Sequence, residues 1–306
     1  MVAREIERAG GVVIYSQKSK GFDEVLKFAD LAMYKNKINA SEKYRFFDQS
    51  LHDEFLETSE MAGGLIKACE ADQFYVEYQP VLDRNKEVVA FEALARWDHP
   101  DLGTVMPGKF IPFAENNGQI RLVSNTIFKK IFSSPQVAQL KEGKKPIRLM
   151  INLSGAHLID IEFADKFTTM VKSYDFPLHL IDLEVTEGVF LEDKQRPIQV
   201  MQVLNELGVK FALDDFGTGY SSFSYLQKLP IQFLKIDKSF VDDLISVSTG
   251  GSIVENIIAL AHTLNLKVVA EGVETEEQFN VLLALGCDYF QGWYCGRPGP
   301  LPSLQG

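Results

Sequence analysis

The 306-residue chain is poor in cysteine: Cys69, Cys287 and Cys295 stand far apart and form no CxxC pair. That spacing supplies neither a disulfide framework nor a thiolate zinc site, so reduced packing residues are expected. Long apolar runs are lacking too. No stretch reaches the roughly 20 residues that cross a bilayer, and Arg4, Glu5, Glu7 and Arg8 interrupt any apolar leader. The expected location is the cytoplasm, or the cytoplasmic part of a longer membrane-bound protein, with no membrane contact within this chain. Positive charge is in deficit: 31 Lys and Arg face 42 Asp and Glu, leaving a net charge of −11 and a pI near 5.0. Surfaces that grip nucleic-acid backbones are basic, which argues against DNA or duplex RNA as partner. An acidic protein still binds a small anion where metal ions bridge the two. The familiar phosphate loops are missing as well. Phe216-Gly217-Thr218-Gly219-Tyr220-Ser221-Ser222 has no following Gly-Lys-Ser/Thr, and no His-Arg-Asp loop accompanies it. Its glycines read as a mobile loop.

What is present is an ordinary globular composition, 46% hydrophobic and 24% charged, long enough for a large core. The first fifty residues stand apart. Val12–Tyr15 suits a strand, Phe22–Lys35 carries apolar residues at helical spacing, and Tyr44–Phe47 suits a second strand. One strand–helix–strand unit is too small to hold a core alone. From Phe74 onward strands and helices alternate. The strand candidates are Phe74–Val81, Val88–Trp97, Ile147–Leu153, Ile181–Thr186, Lys210–Leu213, Phe233–Ile236, Lys267–Ala270 and Tyr289–Gly292. Helices are predicted over Ile120–Phe132, Phe163–Tyr174, Pro197–Leu207, Ser222–Lys228, Gly251–Leu264 and Glu276–Leu285. This pattern predicts an α/β fold, a modified (β/α)₈ TIM-like barrel with a small α/β remnant before it. The modification is local. Only Leu82 to Glu87 separate the first two strands, too few for a parallel crossover, so one antiparallel strand is expected.

In such barrels the reacting groups sit at the C-terminal strand ends. Those ends carry Glu92, Asn152, Glu184, Asp214, Asp215, Lys235, Asp237, Glu271 and Gln291. Alternation puts Leu183 and Val185 on one face and Glu184 and Thr186 on the other. If the aliphatic face meets the helices, Glu184 and Lys235 point into the barrel mouth. Each acid alone is a surface or salt-bridged group, and Asp214-Asp215 could cap a helix. Their recurrence at one level on separate strands outweighs that reading. Carboxylates sharing a cavity resist ionisation, which is relieved by raised pKa values or by divalent metal. Acids plus an amide carbonyl form a hard-oxygen set suited to Mg²⁺ or Mn²⁺.

Glu92-Ala93-Leu94, followed by Ala95-Arg96-Trp97, resembles the signature of EAL-domain phosphodiesterases. The resemblance runs through Tyr78-Gln79-Pro80, Ile151-Asn152-Leu153-Ser154, Glu184-Val185-Thr186-Glu187 and the Asp214–Ser222 segment. It continues through Leu234-Lys235-Ile236-Asp237, Ala270-Glu271-Gly272-Val273-Glu274-Thr275 and Gln291-Gly292, covering roughly Leu65 to Pro300. It implies hydrolysis of cyclic di-GMP to linear pGpG by a water activated between two divalent cations, Mg²⁺ or Mn²⁺. By that resemblance Glu92, Asn152, Glu184 and Asp214 hold one metal, and Asp214, Asp215 and Glu271 hold the other. Lys235, Glu271, Gln291 and Glu187 would be catalytic, Glu187 by tethering the glycine loop. Gln79, Leu94, Arg96 and Asp237 would contact substrate. A homodimer through the same domain is implied as well.

Ala29-Asp30-Leu31-Ala32-Met33-Tyr34-Lys35 and Tyr44-Arg45-Phe46-Phe47-Asp48 resemble the end of a GGDEF domain. The Gly-Gly-Asp/Glu-Glu-Phe loop is absent, so no cyclase activity is expected. The implied organisation is a GGDEF-like fragment over 1–50, a linker helix over 51–64 and an EAL phosphodiesterase domain over 65–306. Two other functions fit the same residues: a catalytically silent cyclic di-GMP receptor, and hydrolysis of another phosphodiester on the same barrel.

Overall fold

The computed structural model describes residues 10–12, 44–46, 61, 64–142, 145–190, 195–217, 226–246 and 250–302, without the side chains of 10–12, 44–46, 245, 246 and 250–252. It divides into two compact units, Met1–Lys67 and Ala68–Gly306. In the first, β1 (Gly10–Val12) pairs in parallel with β2 (Tyr44–Phe46), Gly10 opposite Tyr44. A parallel pair requires a crossover. The helix expected at Phe22–Lys35 lies outside the described residues, as do the rest of the strand expected at Val12–Tyr15 and most of the linker helix expected over 51–64. The first strand begins two residues earlier than its apolar run.

The second unit is a closed barrel with one extra strand. Its staves are β3 (Phe74–Asp83), β4 (Val88–His99), β6 (Arg148–Asn152), β7 (Ile181–Thr186), β8 (Lys210–Phe216), β9 (Phe233–Ile236), β10 (Lys267–Ala270) and β11 (Tyr289–Gln291). They follow one another in that order, and β11 returns to β3. β3 runs antiparallel to both its neighbours, while the remaining staves are parallel. The hairpin forms because the Asp83 carboxylate accepts from the backbone N–H groups of Asn85 (2.8 Å) and Glu87 (3.0 Å). Lys86 completes the turn in the left-handed region at φ 63°. The extra strand, β5 (Gly103–Val105), pairs antiparallel with the end of β4.

The helices pack their apolar stripes on the outside. α1 spans Pro107–Asn116, α2 Ile120–Phe132, α3 Pro135–Gln139, α4 Gly155–Leu158, α5 Phe163–Ser173, α6 Gln195–Glu206, α7 Lys238–Ser246, α8 Gly250–Thr263 and α9 Glu276–Ala284. α2 buries Ile120, Val123, Ile127, Phe128 and Ile131, at helical spacing, and Phe128 meets Phe167 of α5 with ring centroids 5.5 Å apart. α9 opens on a capping box in which Thr275 and Gln278 satisfy each other's backbone N–H groups. The helix expected at Ser222–Lys228 falls on residues outside the description, apart from its last few. Among the described residues no helix is long and apolar enough to cross a membrane.

Inside the barrel a layer of Val81, Ala90, Met150, Ala212, Phe233 and Val269 is buried. Five of these stand two positions before Glu92, Asn152, Asp214, Lys235 and Glu271, and Val81 stands two after Gln79 on the reversed β3. Strand alternation therefore puts the polar residues on the inner face, one layer above this plug. Burying each large apolar side chain contributes about 1.5–3 kcal/mol, so the layer forms a firm floor for the groups over it.

Candidate active site

Lys235 of β9 rises from that floor into the mouth and is 1% exposed. Its ammonium lies 2.5 Å from Glu271 Oε1, 2.9 Å from Glu184 Oε2, 3.2 Å from Asp214 Oδ1 and 4.0 Å from Glu92 Oε2. Four strands thus deliver four carboxylates to one cation. Burial works against the charged lysine, but the charges of Asp214, Glu184, Glu271 and Glu92 outweigh it and hold its pKa well above the ordinary range.

A chain of amides orders the other side. Glu92 Oε1 accepts from Asn152 Nδ2 at 2.7 Å and Oε2 accepts from Gln291 Nε2 at 2.5 Å. Gln291 Nε2 also donates to Gln79 Oε1 at 3.1 Å, and Gln79 Nε2 donates to the Gly296 carbonyl at 3.0 Å. Gly292 lets the chain turn here: at φ 149° an added Cβ would collide with the Val273 backbone. That backbone bonds on either side of the glycine, its N–H to the Gln291 carbonyl and its carbonyl to Tyr294, both at 2.9 Å.

Asp214 and Asp215 are consecutive, so plain alternation would send them to opposite faces. The register between β8 and β9 slips between Leu213 and Phe216, and Asp215 takes the left-handed region at φ 55°. Its N–H donates to Asp214 Oδ1 at 3.0 Å. This bulge re-aims the second carboxylate. Asp214, Asp215 and Glu271 consequently bring ligand oxygens that all lie within 4.8 Å of one another.

The charge balance is uneven. Burial raises Glu92, yet Lys235 and the hydrogen bonds from Gln291 and Asn152 bring its pKa below the ordinary value. Burial together with the charge of Glu92 pushes Glu184 well above it. Glu184 Oε1 is buried without a hydrogen-bond partner. Glu271 is pushed up to about 8 by burial despite the nearby ammonium, and Asp215 is raised by burial and by Asp214 and Asp237. One lysine among five acids leaves negative charge to spare. A hard-oxygen set with an orphaned carboxylate oxygen fits divalent cations.

The structure thus brings together Glu92, Asn152, Glu184, Asp214, Asp215, Lys235, Glu271 and Gln291, with Gln79 beside them. Glu187 Oε1 accepts from the Gly217 N–H at 3.4 Å; the loop beyond, from Thr218 to Ser222, lies outside the described residues. Leu94 lines a cavity that opens on Asn152 and Glu184. Arg96 is turned to Glu77, donating from Nε at 2.8 Å, and its Nη1 donates to the Ala95 carbonyl at 2.8 Å. Asp237 accepts from the Ser239 N–H at 3.0 Å at the start of α7. Two neighbours escaped the sequence reading. Asp182, two residues before Glu184, is buried inside the barrel with Arg148 at 3.3 Å; the same alternation could have found it. Glu115, on a helix that was not expected, lines the Leu94 cavity.

A model of the EAL domain family matches residues 64–298. The bifunctional diguanylate cyclase/cyclic di-GMP phosphodiesterase MucR of Pseudomonas aeruginosa is 37% identical over 296 residues, which are 96% of this chain and 43% of that protein. The cyclic di-GMP phosphodiesterase PdeR of Escherichia coli is 32% identical over 295 residues, 96% of this chain and 44% of its own. The chain spans less than half the length of these curated relatives. A solved structure of the PaMucR phosphodiesterase in complex with c-di-GMP is 36% identical and covers 79% of this chain and 98% of its own, with a TM-score of 0.74. With the signature residues converging in the mouth of the barrel, the chain belongs to the EAL domain family.

Proposed function

We propose that the chain is a divalent-metal-dependent phosphodiesterase that opens cyclic di-GMP to linear pGpG. The observation that carries this reading is the convergence of Glu92, Glu184, Asp214 and Glu271 on Lys235, with one Glu184 oxygen left unpartnered. Relatives named as cyclic di-GMP phosphodiesterases support the substrate.

Glu92, Asn152, Glu184 and Asp214 would hold one cation, and Asp214, Asp215 and Glu271 a second, Mg²⁺ or Mn²⁺ in each. Such cations supply a nucleophile at neutral pH and neutralise phosphate charge. The chain's own groups do the rest. Lys235, buried and held charged among the carboxylates, stabilises the negative charge that develops on the phosphoryl oxygens. Gln291 holds Glu92 in register through its amide. Glu187 holds Gly217 and with it the turn that follows Asp215. Gln79, Leu94, Arg96 and Asp237 form the surface that receives the dinucleotide. The reaction consumes one water and breaks one P–O ester bond; the proton of the attacking water passes to the leaving oxygen through solvent. Glu92→Ala tests the reading: hydrolysis should vanish with the melting transition retained, whereas normal turnover would sink the assignment.

A second reading, a catalytically silent cyclic di-GMP receptor, draws on the same lysine. Its ammonium already engages the oxygens a cation would use, at 2.5 and 2.9 Å. Tight binding without turnover at any metal concentration would favour it.

Residues 1–50 are read as the end of a GGDEF-like domain without its active-site loop. The 296-residue match to MucR supports this, since it extends well beyond residues 64–298. A homodimer through the EAL domain, checked by sedimentation equilibrium, and a cytoplasmic location belong to the same proposal.

A further inference from the structure

One position of the floor beneath the carboxylates is charged. Asp182 of β7 stands two residues before Glu184, as Met150, Ala212, Phe233 and Val269 stand before Asn152, Asp214, Lys235 and Glu271. It is fully buried, and neither of its carboxylate oxygens has a hydrogen-bond partner. A carboxylate in that state costs stability that an apolar side chain of similar size would not. Filling the core therefore does not account for it.

The cation that holds Asp182 is Arg148, the first residue of β6, whose Nη1 lies 3.3 Å from Oδ2. Lys210, the register partner of Asp182 on β8, adds positive charge from the neighbouring strand. The Arg148 guanidinium does more than pair. Its carbon lies 4.4 Å from the Phe233 ring centroid and 5.6 Å from that of Tyr289. The two rings meet edge to face, with centroids 6.1 Å apart. A planar guanidinium stacks on aromatic faces while it pairs with a carboxylate, which an ammonium does less well. Arg148 of β6 thus engages β7, β9 and β11 at once.

Each side chain that it engages stands two residues before a site residue. Asp182 precedes Glu184, Phe233 precedes Lys235, and Tyr289 precedes Gln291; Arg148 itself stands four before Asn152. Two residues of strand span about 6.6 Å and bring side chains back to the same face. The residues between are held in the parallel ladder, so a shift in the lower side chain is carried to the upper one.

We propose that Arg148 and Asp182 form a strut under the site that sets the heights of Glu184, Lys235 and Gln291. Both are positioning residues: Arg148 lies one layer below the floor and takes no direct part in breaking the ester bond. The inference rests on the reading of the chain as a cyclic di-GMP phosphodiesterase.

The test compares the full chain with the double variant Arg148→Met, Asp182→Val, which replaces both charges by apolar side chains that suit a strand. Exchanging a buried ion pair for apolar groups is often neutral or stabilising, so the urea midpoint should equal or exceed that of the wild type. A pair that served stability alone would leave the chemistry untouched. Loss of a strut should lower kcat for cyclic di-GMP at saturating Mn²⁺ at least about tenfold, since a misplacement of about 1 Å costs up to about 10²-fold. KM should change less than about threefold. Mn²⁺ affinity, read by calorimetric titration without substrate, should weaken at least about tenfold through Glu184. Arg148→Lys keeps the charge beside Asp182 and loses the planar face; it should fold as the wild type does, with a kcat between the other two. A double variant with wild-type kcat and wild-type Mn²⁺ affinity would overturn the strut. Wild-type kcat in Arg148→Lys would overturn the part given to the rings. Mn²⁺ bound by a wild type that leaves cyclic di-GMP intact would overturn the phosphodiesterase reading instead, and the Mn²⁺ affinity of the double variant would then decide the strut alone.

Discussion

Lys235 and Glu184, on strands separated by β8, meet at 2.9 Å inside the barrel with about 1% exposure each. Neither would be stable there alone. A buried ammonium or carboxylate without a partner costs several kcal/mol, and the pair is balanced only within the wider set of Glu92, Asp214 and Glu271. The site is therefore an ionic cluster with one protein cation and room for more positive charge.

Replacing the lysine exposes that deficit. Lys235→Met should destabilise the metal-free protein by about 3–5 kcal/mol, the usual cost of breaking a buried ionic cluster. It should lower kcat by about 10²–10³-fold, as loss of a fixed charge partner does. Mn²⁺ should recover more of the melting temperature in Lys235→Met than in wild type, because the cations then carry the whole balance. Equal Mn²⁺ shifts in the two proteins, read by scanning calorimetry, would argue against a shared site.

Metal binding should be coupled to proton release. Burial pushes Glu271 up to about 8 and Glu184 well above its ordinary value. At pH 7 the metal-free site therefore holds protons that a cation must expel. Affinity for Mg²⁺ or Mn²⁺ should rise as pH climbs from 6.5 to 8.5, with roughly one proton released per cation near neutrality. Isothermal titration in two buffers of different ionisation heat measures this; identical heats after correction would contradict it.

The bulge at Asp215 separates conformation from charge. Asn tolerates φ 55°, so Asp215→Asn should keep the fold and weaken metal binding by at least about tenfold, the lower end of what even outer-shell changes cost. A β-branched residue does not tolerate it. Asp215→Val should also lose about 1–2 kcal/mol of stability from the left-handed backbone. Denaturant midpoints of the two variants distinguish these effects, and equal midpoints would count against strain at this position.

His157 gives the fold a pH dependence away from the carboxylate cluster. It is 3% exposed, stacked on Phe163 with centroids 4.8 Å apart. Burial, helped by the charge of Arg121, lowers its pKa from 6.5 to about 4. The folded state thus prefers the neutral ring. Stability is complete above pH 6.5 and is lost as pH falls toward 4, because the unfolded chain takes up a proton that the fold refuses. The full loss is about 3 kcal/mol. Urea midpoints from pH 7 to 4.5 should fall in wild type and fall less in His157→Phe; parallel curves would refute the assignment.

Much of the site was legible because it obeys alternation. Leu183 and Val185 flank Glu184, and Leu234 and Ile236 flank Lys235, so their inward direction followed from period 2 once the barrel was inferred. The short Leu82–Glu87 link likewise betrayed the antiparallel β3. Other parts were hidden for physical reasons. Alternation assigns Asp214 and Asp215 to opposite faces, and only a bulge, which leaves no mark in apolar periodicity, unites them. α1 escaped because Gly108 and the interior Pro112 are helix breakers, although Pro107 opens the helix, where proline is at home. With α1 went Glu115 and the cavity wall. α7 was missed because Asp242 and Asp243 dilute its apolar stripe. The pairing of Arg96 with Glu77 depends on cross-strand register, which the sequence of either strand alone does not contain.

The most direct test is identification of the product after incubating the full chain with cyclic di-GMP and Mn²⁺. Chromatography and mass spectrometry should find linear pGpG, one water heavier than the substrate, formed with Mn²⁺ or Mg²⁺ and absent with EDTA. Cyclic di-GMP recovered intact with either metal, from protein that binds it tightly, would contradict the account and leave the chain a receptor.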